Sequence, residues 1–203
     1  MSGPDTPEVA PAEPATAWET PAAAAPKPVP GAAGFVYADV PNRIIALIID
    51  SILLAIITTI VNMVVYGIVG QPMTFNETGL GANMVALLVG TVVSLVLSAA
   101  YFVYSWTRMR ATPGQKALGM QVGNAADGKT LTQEQALRRW AVLFGPFAIG
   151  QVFIVAPTIG MLLGLASIGY AIYLLYTTSQ SPTKQGFHDQ FAGTVVVKAA
   201  RSV

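Results

Sequence analysis

A chain of 203 residues that is 53% apolar and 10% charged carries far fewer charges than an ordinary soluble domain, where about a quarter of residues are charged. It reads as one membrane domain with a tail. The absence of cysteine excludes disulfides, thiolate metal sites and cysteine nucleophiles. The formal net charge of +1 says little by itself, but no basic patch interleaved with aromatics is present, which sets nucleic acid aside as a partner.

Residues 1–34 are rich in Pro and Ala, with scattered acids (Asp5, Glu8, Glu13, Glu19) and Trp18 as the one aromatic. Such a stretch cannot bury enough apolar surface to offset its ordering entropy, so a disordered cytoplasmic tail is expected, with proline-motif docking as the other reading. It lacks the basic start and apolar core of a signal peptide, and no cleavage is expected.

Four apolar segments follow. The first, residues 44–69, contains a single charge, Asp50, and the second, 84–104, contains none. The apolar stretch 140–176 is too long for one crossing, and Pro157 with Gly160 divides it into segments 140–156 and 158–176. All eleven Lys and Arg lie before the first segment, between the second and third, or after the fourth. By the positive-inside rule both termini and the loop 107–139 are cytoplasmic, and the count favours four spans over three. Trp106, Trp140 and Tyr176 fall at that same interface, where aromatic belts sit.

The loop has structure of its own. Residues 118–122, a turn at Asp127-Gly128 and residues 129–131 read as a β-hairpin. Thr132 and Gln135 have capping-box spacing, opening a short helix toward Trp140. The β-branched run from Thr194 predicts a strand at 194–198, and because a lone hairpin is marginal it is expected to pair there as a third strand. The expected fold is thus an all-α membrane protein, with four transmembrane helices and a small cytoplasmic β-hairpin or sheet over 35–198, behind a disordered N-terminal tail.

These pieces resemble the RDD family, bacterial integral membrane proteins named for one arginine and two aspartates. The first motif is Pro41-Asn42-Arg43 with Asp50 seven residues beyond the arginine; the second is Thr112-Pro113-Gly114-Gln115-Lys116-Ala117-Leu118-Gly119. The third is Gly186-Phe187-His188-Asp189-Gln190-Phe191-Ala192-Gly193, with Asp189 as the second aspartate. The resemblance covers residues 35–198. Gln115 departs from the pattern by standing where a basic residue is common. What the resemblance implies is an inner-membrane protein with a suspected role in transport; it supplies no substrate.

A carboxylate inside a span costs at least about 2.5 kcal/mol, so Asp50 is expected to be functional and to need a partner. Arg43 lies on its face of the helix but about 10 Å away along the axis. Arginine at a helix end snorkels outward, so Asp189 is expected as the closer partner of Arg43, with Asp50 left deeper. Two readings follow for the cluster Arg43, Asp50 and Asp189: a structural clamp tying tail to span, or a pathway in which Asp50 binds a proton or cation. Gln151, Asn62, Ser94 and Ser98 could line such a conduit, although interhelical hydrogen bonding is their usual role. His188 could titrate near neutral pH and serve as a switch, against the plainer reading of an exposed, hydrogen-bonded histidine. Gly160 with Gly164, and Gly145 with Ala148, have the spacing of close helix packing.

No paired His/Glu metal spacing, phosphate loop or nucleophile elbow is found, and no enzyme, cofactor or metal site is expected. Two functions compete. One is a small transporter or channel subunit for an ion or polar solute, working as a homo-oligomer because four thin helices enclose little space. The other is a non-transporting scaffold in which the charges clamp the fold and the tail recruits a partner.

Overall fold

The computed structural model describes residues 35–77, 79–152 and 157–199. The expected tail at 1–34 and the end of the third expected span, 153–156, lie outside the described residues.

Helix α1 (Val40–Val69) starts earlier than the apolar run, because Pro41 suits a first turn whose amides have no partners in any case. Asp39 precedes it, and its carboxylate accepts from the Asn42 side-chain amide. The helix stops where Gly70 adopts φ +91 and donates its amide to the Tyr66 carbonyl at 3.0 Å. The loop beyond is a two-stranded antiparallel ribbon, β1 being reserved for Phe35–Tyr37 ahead of α1; its strands are β2 (Met73–Asn76) and β3 (Gly79–Ala82). Asn83 then serves two helices at once. Its side chain accepts from the Ala86 amide at 3.1 Å, capping α2 (Met84–Arg108), and donates to the last carbonyl of α1, Val69, at 3.1 Å.

Past α2, Thr112 and Gln115 form a capping box around Pro113 and open the short helix α3 (Pro113–Ala117). Strand β4 (Met120–Asn124) follows, then α4 (Gln133–Val152), α5 (Pro157–Gln180), α6 (Phe187–Ala192) and β5 (Thr194–Ala199). The Thr132–Gln135 capping box read from spacing does form, with both reciprocal bonds at 3.1 Å.

Strands β1, β5 and β4 make one antiparallel sheet with β5 in the centre, Phe35 facing Ala199 and Asn124 facing Thr194. Three strands were expected, but not these three. Residues 129–131 do not continue as a second hairpin strand, and only Asn124 bonds across the turn, to the Lys129 carbonyl at 2.9 Å. The reason is burial. β5 brings Val196 onto the inner face with Met120 and Val122, all buried, whereas Leu131 reaches the same core without pairing. β1 takes the other edge.

Three helices are long and apolar enough to cross a membrane: Val40–Val69, Met84–Arg108 and Thr158–Gln180. The third expected span is not among them in the described residues. Its helix, α4, begins with turns that carry Glu134, Arg138 and Arg139. The outward faces of α1 and α5 present Ile48, Ile52, Ile56, Ile60, Ile168 and Ile172, the kind of surface a bilayer covers. The buried core sits at the sheet end of the bundle, where Phe102 packs on Trp106 and Phe144 with ring centroids 5.3 and 4.5 Å apart. Gly145 and Gly164 meet nothing within 4 Å among the described residues, so neither mediates close helix packing there.

Candidate functional site

Helix α6 exists to present one carboxylate. Asp189 lies in its first turn and accepts from the Gly186 amide at 3.2 Å, while Gly193, at φ +63, closes the helix and turns the chain into β5. Gly186 must be glycine for a steric reason: a Cβ there would lie 2.3 Å from Thr178 Oγ1 on α5 and 2.8 Å from the His188 ring. Asp189 is fully buried and draws two arginines from different helices. Arg43 of α1 donates to its Oδ2 at 2.6 Å, and Arg139 of α4 contacts its Oδ1. Arg43 also donates from Nε to the Ala38 carbonyl at 3.0 Å, holding β1 to the helix end. Arg139, 3% exposed, donates to Thr194 Oγ1 at 2.7 Å and lies 4.8 Å from the centroid of Trp106, a cation–π distance. One carboxylate therefore ties together α1, α4, α6 and β5.

Burial pushes the Asp189 carboxyl up, but Arg139 above all, with His188 and Arg43, pulls the other way and holds it well below the usual carboxylate range. Burial pushes the His188 imidazole down to about 4; Asp189 opposes this, and Arg139 and Arg43 add to it. His188 is thus neutral at pH 7. It is buried, with Nε2 3.5 Å from Asp189 Oδ2, and this overturns the reading of an exposed histidine. The folded chain refuses a proton that the unfolded chain accepts near pH 6.5. Stability should therefore be level above that pH and fall by about 3 kcal/mol as pH drops from about 6.5 to about 4. His188→Gln should flatten this part of the profile, and thermal melts of the detergent-purified protein across that range measure it. Below about 3.8, protonation of Asp189 in the unfolded chain adds a further loss.

Asp50 forms a separate centre, 2% exposed, and its company differs from expectation. Its partners are neither Arg43 nor Asp189. Tyr101 of α2 donates to Oδ1 at 2.7 Å, the Gly114 amide donates to the same oxygen at 2.8 Å, and Thr112 Oγ1 donates to Oδ2. Thr112 is free to donate because its oxygen accepts from the Gln115 amide at 3.2 Å, while Gln115 Oε1 accepts from the Thr112 amide and from Trp106 Nε1. The carboxylate thereby pins the start of α3 against α1 and α2.

Of the residues expected to line a conduit, Asn62, Ser94 and Ser98 are bonded elsewhere. Asn62 donates to Ser94 at 3.0 Å, joining α1 to α2, and Ser98 accepts from Trp140 Nε1 at 3.0 Å, joining α2 to α4. Both are interhelical hydrogen bonds of the ordinary kind. Gln151 falls in the last turn of α4, and its side chain lies outside the described residues. The residues that spacing missed are Arg139, Tyr101, Thr112 and Gly114. Arg139 had a usable signal: like Arg43, it stands at the mouth of an apolar segment. Tyr101 had none.

A cavity of about 310 Å³ separates α1 from α5 and reaches both centres. Arg43, Asp50, Gln115, Arg139, Thr178 and His188 supply its polar atoms, and aliphatic and aromatic side chains form the rest of the wall. Among the described residues no group of His, Asp and Glu is arranged to hold a metal ion.

The family model described as "RDD family" matches residues 37–193. Neither a curated protein nor a solved structure matches the chain.

Proposed function

Because the chain belongs to the RDD family, we propose that it is a multi-pass scaffold of the bacterial inner membrane, in which the arginine and the two aspartates of that family act as a clamp. The observation that carries this reading is the saturation of both carboxylates by donors from separate elements. Asp189 engages α1, α4 and β5, and Asp50 engages α2 and the start of α3. Groups so fully engaged hold a structure together. In this reading the sheet is a cytoplasmic cap locked onto the helix ends, and residues 1–34 recruit a partner.

Four crossings fit the same reading. One sheet gathers strands from before α1, from between α2 and α4, and from after α5, which supports an even number of passages. With three long apolar helices among the described residues, the fourth passage falls to α4. The distribution of Lys and Arg supports placing the sheet and both termini in the cytoplasm.

A second reading, a small transporter or channel subunit working as an oligomer, draws support from the cavity, which extends to Asp50. Asp50→Asn separates the two. A clamp loses the strength of three charge-assisted hydrogen bonds, so folded protein should fall in yield and melt several degrees lower, with no change in ion movement. A pathway keeps a folded protein and loses proton or cation flux in proteoliposomes. Parent flux above that of protein-free vesicles, abolished in a normally melting variant, overturns the scaffold. Deleting residues 1–34 should also remove a partner from a pull-down.

A further inference from the structure

The cavity between α1 and α5 is built unevenly. Arg43, Arg139 and His188 all line it: Nη2 of Arg43 and Nε of Arg139 are buried N–H donors with no hydrogen-bond partner among the described residues, while Nδ1 of the neutral His188, whose Nε2 faces Asp189, is an unpartnered acceptor. Two guanidiniums share a single carboxylate, Asp189. The other acid on the wall, Asp50, is within ion-pair distance of neither arginine and is occupied by its three donors. This part of the wall therefore carries an excess of positive charge and two unused arginine N–H donors. Ile44, Leu47 and Leu175 also line it and are 37%, 38% and 42% exposed on the outer face of the bundle, where hydrocarbon lies against a membrane protein. Phe147 and Leu143 add to this apolar wall.

We propose that the cavity binds an anionic amphiphile, a phosphate or carboxylate head on an alkyl chain, drawn sideways from the bilayer. Its head lies against Arg43 and Arg139, and its chain leaves between α1 and α5 past Ile44, Leu47 and Leu175. A planar guanidinium fork suits an oxyanion of either type. A free inorganic anion finds almost no polar wall to replace its water, and a neutral chain leaves the arginine nitrogens unmatched. The volume lies at the lower edge of the roughly 300–1,000 Å³ range of small-molecule sites, which fits a head and the first part of a chain. This site holds for either functional reading, since binding requires no transport.

The test uses the full-length protein in phosphatidylcholine nanodiscs, with empty discs as background. The probes are dodecyl phosphate, dodecanol and inorganic phosphate. Dodecyl phosphate should bind saturably and raise the melting temperature, and each of the other two should bind at least about tenfold more weakly. Leu47→Trp and Leu175→Trp narrow the mouth without touching the clamp. They should weaken dodecyl phosphate by about tenfold while melting like the parent in its absence. Four outcomes overturn the proposal: no saturable binding of dodecyl phosphate, equal binding of dodecanol, equal binding of inorganic phosphate, or unchanged binding in both mouth variants.

Discussion

Asp189→Asn should cost about 3–5 kcal/mol. The side chain it replaces is fully buried between two arginines, one of them 3% exposed. An amide removes the negative charge and turns one acceptor into a donor facing a guanidinium. Two buried cations then stand side by side without a counter-charge, and water cannot reach Arg139 to compensate. Set against a typical stability of about 5–15 kcal/mol, such a loss is enough to empty the folded state at moderate temperature. The expected result is little monodisperse protein after detergent extraction and a melting temperature far below the parent's. Arg139→Gln alone should also be severe. The double variant Asp189→Asn/Arg139→Gln should be less destabilised than the two single losses added together, because it leaves one fewer orphaned charge. A melting temperature for Asp189→Asn within a degree or two of the parent would remove the clamp from the account of this fold.

The second large effect is expected at Gly114, where one added carbon meets backbone. A Cβ there would sit 2.3 Å from the Ala46 carbonyl oxygen in α1 and 3.0 Å from the Asp50 carboxyl. Neither neighbour can yield, since one is the main chain of a long helix and the other is fixed by three hydrogen bonds. In Gly114→Ala, α3 must lift away from α1. The Gly114 amide and the Thr112 hydroxyl then leave Asp50, and a buried carboxylate is left with Tyr101 alone. Overpacking and two lost bonds to a charged group together predict a cost of about 3–5 kcal/mol, read as a lower melting temperature and faster proteolysis within residues 109–132. Gly90→Ala is the control. Its Cβ would meet the Tyr66 hydroxyl at 2.1 Å, the far end of a side chain that can swing aside, so the loss should be much smaller. Equal melting temperatures for the two variants would show that the α1–α3 contact does not need glycine.

Much of the frame was legible because it rests on local chemistry. Apolar runs long enough to cross hydrocarbon announce helices by length and composition alone, and the Thr132–Gln135 capping box needs only residues three apart. The pairing of Arg43 with Asp189 followed from two facts about reach: arginine at a helix end turns outward, and a strand at 194–198 carries its neighbours to that end. The partners of Asp50 were hidden for the opposite reason. Tyr101, Thr112 and Gly114 lie 51, 62 and 64 residues away, and none carries a charge that would mark it as a match. Arg139 stood, like Arg43, at the mouth of an apolar segment, but nothing in its neighbourhood says that it turns inward over Trp106. The hairpin expected at 118–131 failed at its second strand because sequence proximity favoured it, while burial of Val196 beside Val122 favoured β5.

Composition and order along the chain were sufficient to make this a membrane protein with its cations gathered toward one end and a lone acid in its first helix. Those properties belong to segments, and a segment carries them wherever it packs. Which donors close around each carboxylate, and the cavity left between α1 and α5, were decided only when the helices met. A buried charge takes whatever partners the packing of distant elements places within about 3 Å, and that distance is set by the whole fold.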